Sequence, residues 1–145
     1  MQHLGGLKDL IELLNDGAKF YAEAMQKVHE PAFRDLFAHM ADTKRAIAAD
    51  LASQLVASGE APPHGGTLWG TLRQTYADLR SRLDDQPETV YVAQLEQTED
   101  RILEAFREEL DRTMDSALRM VIERHYPEVK RMHAEMRELK HQLAG

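Results

Sequence analysis

The chain has no cysteine. That removes disulfides, thiol catalysis and thiolate metal sites at once. It also lacks any apolar run near the ~20 residues of a membrane span, and its start lacks the basic-then-apolar pattern of a secretory leader. A cytoplasmic protein with no membrane partner is expected. Strand signals, low-complexity tracts and Gly-rich phosphate loops are missing too, and Ser53, Ser58, Ser81 and Ser116 sit in no nucleophile context. Positive charge is in deficit: the formal net charge is −7, so the whole-molecule field repels nucleic acid and anionic lipid. Lys8, Lys19 and Lys27, and Arg131, Arg137 and Lys140, are interleaved with acids and make no basic patch. No nucleic-acid partner is expected.

What is present is helical periodicity. The 145 residues, 43% hydrophobic and 30% charged, suit one globular domain with a core of its own. Leu7, Ile11, Leu14, Ala18, Tyr21, Met25 and Val28 alternate four- and three-residue steps, the seam of a long helix. Phe33, Phe37, Met40, Lys44, Ile47, Leu51 and Leu55 form a second seam, opened by Pro31 and closed by Gly59. Tyr91, Leu95, Glu99, Ile102, Phe106 and Leu110 make a third. Leu118, Ile122, His125, Val129, Met132, Met136, Leu139 and Leu143 make a fourth, with Thr113 as its expected cap.

The spacing predicts helices over about 4–29, 32–58, 87–111 and 114–143 in one domain, 1–145. A shorter amphipathic stretch, with Leu68, Trp69, Leu72, Tyr76 and Leu79, predicts a crossover helix over about 67–83. Such a helix rises ~25 Å, most of a bundle's length, whereas neighbouring antiparallel helices need only ~2–8 connecting residues. The fold class is therefore all-α: a four-helix bundle of ferritin-like arrangement, with a long helix-containing crossover making the second and third long helices parallel. The rival is a five-helix up-and-down array.

Three ionisable residues interrupt these seams near mid-helix: Lys44, Glu99 and His125. Metal-binding bundles place carboxylates and histidines at such inward positions. The reading favoured here is a polar core, with Lys44 paired to Glu99 and His125 and the Tyr21 hydroxyl supplying hydrogen bonds. The alternative is an iron, manganese or zinc site built from Glu96, Glu99, His125 and Glu128, since carboxylate and imidazole ligands suit such ions. Its bland counterpart has Glu96 and Glu128 as solvated flanks. His29, His39, His64, His133 and His141 show no close pairing in sequence and read as surface residues. Methionine at helical spacing reads as core filler rather than haem ligand. Pro127, inside the fourth helix, predicts a kink and a small cavity beside His125.

Leu7-Lys-Asp-Leu-Ile-Glu-Leu-Leu-Asn-Asp-Gly17, Tyr21-Ala-Glu-Ala24, Phe37-Ala-His-Met-Ala41, Gly66-Thr-Leu-Trp69, Leu95-Glu-Gln-Thr-Glu-Asp100 and His133 together resemble a bacterial family of ferritin-like four-helix-bundle proteins of unknown function, within the wider ferritin and rubrerythrin-like group. The resemblance spans nearly the whole chain and is carried mostly by apolar spacing. It implies a ferritin-like bundle, self-association and no agreed activity. A stress role follows only from family analogy. The wider group holds two irons with a Glu from each of two helices and a Glu-x-x-His from each of the other two. Carried over, that pattern leaves Leu14 on helix one, Lys44-x-x-Ile47 on helix two, Glu99 on helix three and an inverted His125-x-x-Glu128 on helix four. A protonated lysine cannot donate an electron pair to a metal. The expectation is thus a non-enzymatic homo-oligomer with a degenerate di-iron site and no cofactor. A metal-dependent oxidase or metal store is the alternative, and a carrier of a small apolar molecule near Pro127 a third reading. Self-association is expected through a second apolar face, with Leu10, Phe20, Leu36, Leu103 and Val121 beside the main seams.

Overall fold

Four long helices account for nearly all of the described chain: α1 (Gly5–Lys27), α2 (Pro31–Ala57), α3 (Pro87–Arg112) and α4 (Ser116–Ala144). The computed structural model describes residues 5–61 and 87–144. The expected crossover helix, with Trp69 and its leucines, lies outside the described residues.

Local chemistry sets the helix ends. Pro31 occupies the first turn of α2, where its missing N–H costs nothing. At the other end the chain closes in a Schellman motif: Glu60 N–H donates to Leu55 O at 3.1 Å and Gly59 N–H to Val56 O at 2.9 Å. Gly59 has φ +85°, a left-handed conformation that glycine adopts without a Cβ clash. The α4 cap differs from expectation. The Thr113 amide still bonds back into α3 at Glu109 O, and the side chain of Asp115 accepts from Leu118 N–H at 2.8 Å. Asp115, two residues further on, therefore caps α4, its carboxylate taking one of the free first-turn amides. Pro127 is accommodated inside α4.

α1 packs on α2 and α3 on α4, and α1 also packs on α3 and α2 on α4. Those last two pairings close four helices around one core, which a simple array in chain order would not. Directions follow from named contacts. The Glu109 carboxyl lies against Gly6, while Glu88 accepts from His29 N–H at 2.8 Å. The start of α1 thus meets the end of α3, and its end meets the start of α3. Asp50 pairs with His125 and Lys44 with Met132, so α2 and α4 are antiparallel. α2 and α3, on the diagonal, are consequently parallel, and Ala57 and Pro87 stand at opposite ends of the bundle.

The core is built from the predicted seams. Leu7, Leu14, Tyr21, Phe37, Met40, Leu51, Tyr91, Leu95, Ile102, Phe106, Ile122, Val129, Met132 and Met136 are all fully buried. Tyr21 and Phe37 pack ring against ring at 5.8 Å. The second apolar face offered for self-association is a different matter. Leu10, Phe20, Leu103 and Val121 are buried already, and Leu36 is half-buried, so that face is consumed within the chain. The large apolar side chains left exposed among the described residues are Val56, Met114 and Met120. They lie at the end of α2, in the α3–α4 turn and at the start of α4, all at one end of the bundle.

Candidate functional site

Midway along the bundle, α1, α2, α3 and α4 each send one side chain into a single layer: Tyr21, Lys44, Glu99 and Met132. Lys44 and Glu99 have no solvent exposure at all. The Lys44 ammonium lies 2.7 Å from Glu99 Oε2 and donates to Oε1 at 2.8 Å. It also approaches Met132 Sδ at 3.6 Å and sits 5.3 Å from the centre of the Tyr21 ring, whose electron-rich face attracts a cation. The Tyr21 hydroxyl donates to Glu99 Oε2 in a short hydrogen bond. Burial, reinforced by the adjoining Glu99 carboxylate, pushes that hydroxyl well above the ordinary tyrosine range. Charge and hydrogen bonds are therefore matched inside the layer, as a buried ion pair requires.

Two of the expected members meet as proposed, and Tyr21 joins them. His125 does not. Its Nε2 lies 2.5 Å from Asp50 Oδ2 at the α2–α4 edge, its side chain 18% exposed, and Arg124 also reaches Asp50 at 3.4 Å. The reason is axial. Helical periodicity turns His125 inward, but the antiparallel register of α2 and α4 sets Met132 opposite Lys44. His125 is two turns away, ~10 Å along the axis. The thioether of Met132 and the face of Tyr21 fill the space that the imidazole was expected to take.

The four residues of the metal alternative are likewise dispersed. Glu128 is held by Arg131, whose Nη2 lies 2.5 Å away. That guanidinium hydrogen bond holds the Glu128 carboxyl below the ordinary carboxylate range. Glu96 turns toward the α3–α4 face and Lys140, Glu99 into the central layer and His125 toward Asp50. A di-iron pair does not fit the central layer: it contains one carboxylate, and an ammonium occupies the coordinating positions of that carboxylate. What the layer can do chemically is fix register and exclude water. None of its polar atoms reaches solvent.

Sequence reasoning missed one constellation. Glu96, Asp100 and His133 bring their ligand atoms within 4.8 Å of one another on the α3–α4 face. Glu96 and Asp100 are one helical turn apart, a spacing visible in the sequence; the facing histidine was not assignable, because it lies on another helix. A cleft of about 510 Å³ runs between α1 and α3, lined by Asp9, Glu12, Asp16, Glu108 and Glu109 together with Arg101 and Arg112. That places it away from Pro127.

Among the described residues no helix is long and apolar enough to cross a membrane. Compared with known families, residues 2–112 match the model of a family described as Domain of unknown function (DUF2383). No curated protein matches the chain.

Proposed function

The chain belongs to the DUF2383 family, a membership that brings no activity with it, and from that premise we propose a non-enzymatic, ferritin-like bundle protein that self-associates and works through protein contacts. One observation carries the reading. The cation at the centre of the bundle is the protein's own: the Lys44 ammonium, fully buried and 2.7 Å from Glu99. In the ferritin and rubrerythrin-like group, metal ions take that central position and carry the chemistry. A fixed ammonium supplies the positive charge without redox capacity or an open coordination site.

The parallel α2 and α3, joined by one long connection, support the ferritin-like relationship as topology. Self-association is supported by the exposed end carrying Val56, Met114 and Met120, where Met114 is 95% exposed; apolar side chains gathered at one end suit a contact between copies. A role in stress responses rests on family analogy alone.

The test has two parts. Purified protein supplied with ferrous iron and oxygen should oxidise iron no faster than buffer, and light scattering at tens of micromolar should report a dimer or larger. Iron oxidation at many turnovers would overturn the non-enzymatic reading, and its persistence in His133→Ala would place the catalytic metal away from that histidine. A monomer at all concentrations would overturn self-association.

A further inference from the structure

The geometry points to a divalent transition-metal site on the α3–α4 face, formed by Glu96, Asp100 and His133, for zinc or a first-row ion of similar preference. It does not rest on the reading of the central layer, from which Glu96 turns away. The three ligand atoms, two carboxylate oxygens and one imidazole nitrogen, all lie within 4.8 Å of one another. One oxygen-oxygen-nitrogen set from two rigid helices is a donor combination that zinc, iron and manganese accept. Three protein ligands leave a fourth position for water, the arrangement of an open rather than a purely structural site.

Independent support comes from Glu96. Its side chain is only 9% exposed, and the partner the structure gives it is the Lys140 ammonium at 3.5 Å, itself 44% exposed. A carboxylate this far inside usually finds close hydrogen-bond donors. Here that ammonium is long-armed, nearly half in water and past good hydrogen-bond length, so it can swing aside at little cost. His133 is 14% exposed while Asp100 is 54% exposed. The site therefore grades from a buried oxygen at Glu96 to an open one at Asp100, giving an ion an approach from solvent.

His133 Nε2 hydrogen-bonds directly to Asp100 Oδ1. Binding an ion converts that contact to two coordinate bonds: the neutral imidazole nitrogen and the carboxylate oxygen both turn to the metal, and any proton they share is released. Lys140 withdraws from Glu96 at the same time. Backbone movement is small, because Glu96 and Asp100 are one turn apart on one helix and His133 faces them from its packed neighbour.

The experiment uses the full chain stripped of metal by chelator. Zinc titrated calorimetrically should bind one ion per chain, and cobalt should give the visible absorption bands of a four- or five-coordinate nitrogen-oxygen site. His133→Ala and, separately, Asp100→Asn should each weaken zinc binding at least tenfold. Asp100 is exposed, so its variant keeps the test valid if the histidine variant does not fold. Lys140→Met should tighten binding, since the ammonium no longer competes for Glu96. Absence of saturable zinc binding would overturn the site. So would an affinity unchanged in both ligand variants.

Discussion

Gly17 on α1 lies directly against the aliphatic stem of Lys44 on α2. A Cβ at position 17 would stand 3.2 Å from Lys44 Cδ, 3.3 Å from Lys44 Cε and 3.2 Å from Ile102 Cδ1. The glycine makes the room through which a long cationic side chain passes to reach Glu99. Its spacing alone gives no sign of that role, since Gly17 falls one position before Ala18 of the α1 seam.

Gly17→Ala is accordingly predicted to destabilise. Alanine in a helix interior gains up to ~1 kcal/mol over glycine, but overpacking a filled core costs ~1–3 kcal/mol. Lys44 cannot retreat without lengthening its ion pair, and Ile102 is fully buried. A net loss of about 1 kcal/mol is expected from these two magnitudes. A urea midpoint that rises in the variant would mean the stem has slack.

Lys44→Met removes the ammonium and leaves the Glu99 carboxylate buried, which should cost ~3–5 kcal/mol. The double variant Lys44→Met/Glu99→Leu should recover most of that loss, because a well-packed apolar replacement of a buried pair is often neutral. The check is a double-mutant cycle read from chemical denaturation. If Lys44→Met alone left the midpoint in place, the ion pair would have no part in holding the layer.

Tyr21 gives an alkaline signature. Its hydroxyl is raised well above the ordinary tyrosine range by burial and by Glu99, so the folded state holds this proton more tightly than the unfolded chain does. The corresponding stability is fully present below about pH 10 and is lost as pH rises from there toward the folded value. Tyr21→Phe should abolish that part of the alkaline loss while lowering stability at neutral pH by ~1.5–3 kcal/mol, the worth of a hydrogen bond to a charged group. Parallel alkaline slopes in the two proteins would show that Tyr21 is not the group responsible.

Glu88 should contribute an acid signature of opposite sense. Burial is the largest single influence and pushes its carboxyl upward, but the backbone amides of His29, Glu88 itself and Glu30 together outweigh it and hold the group below the ordinary glutamate range. Stability from this tie between the α1–α2 turn and α3 is present above about pH 4.5 and lost as pH falls through the lowered value. Glu88→Gln should therefore differ from the parent at neutral pH and converge with it in strong acid. Curves that stay equally separated down to about pH 2 would exclude the linkage.

Asp115→Ala tests the observed cap of α4. Loss of the bond to Leu118 N–H should cost ~1 kcal/mol, whereas Thr113→Ala should leave thermal stability nearly unchanged. Equal effects at the two positions would return the cap to Thr113.

Much of this protein was legible in its sequence, for one physical reason: apolar side chains at alternating three- and four-residue steps must share one side of a helix. That determined four long helices and the burial of Lys44 and Glu99 among apolar neighbours; glycine's tolerance of a positive φ placed the closure at Gly59, and the length of chain between the second and third seams set the long connection between α2 and α3. Periodicity fixes the direction in which a side chain points, however, and not its height along the bundle. Height comes from the register between helices, which is set by the turns at 28–30 and 113–115 and by how the cores interdigitate. Only the tertiary structure therefore decided that Met132 rather than His125 completes the central layer, and that His125 pairs with Asp50. The same cross-helix register faces His133 toward Asp100 and Glu96. It also covers Leu10, Phe20, Leu103 and Val121, whose spacing reads as a spare apolar face until the neighbouring helices are in place.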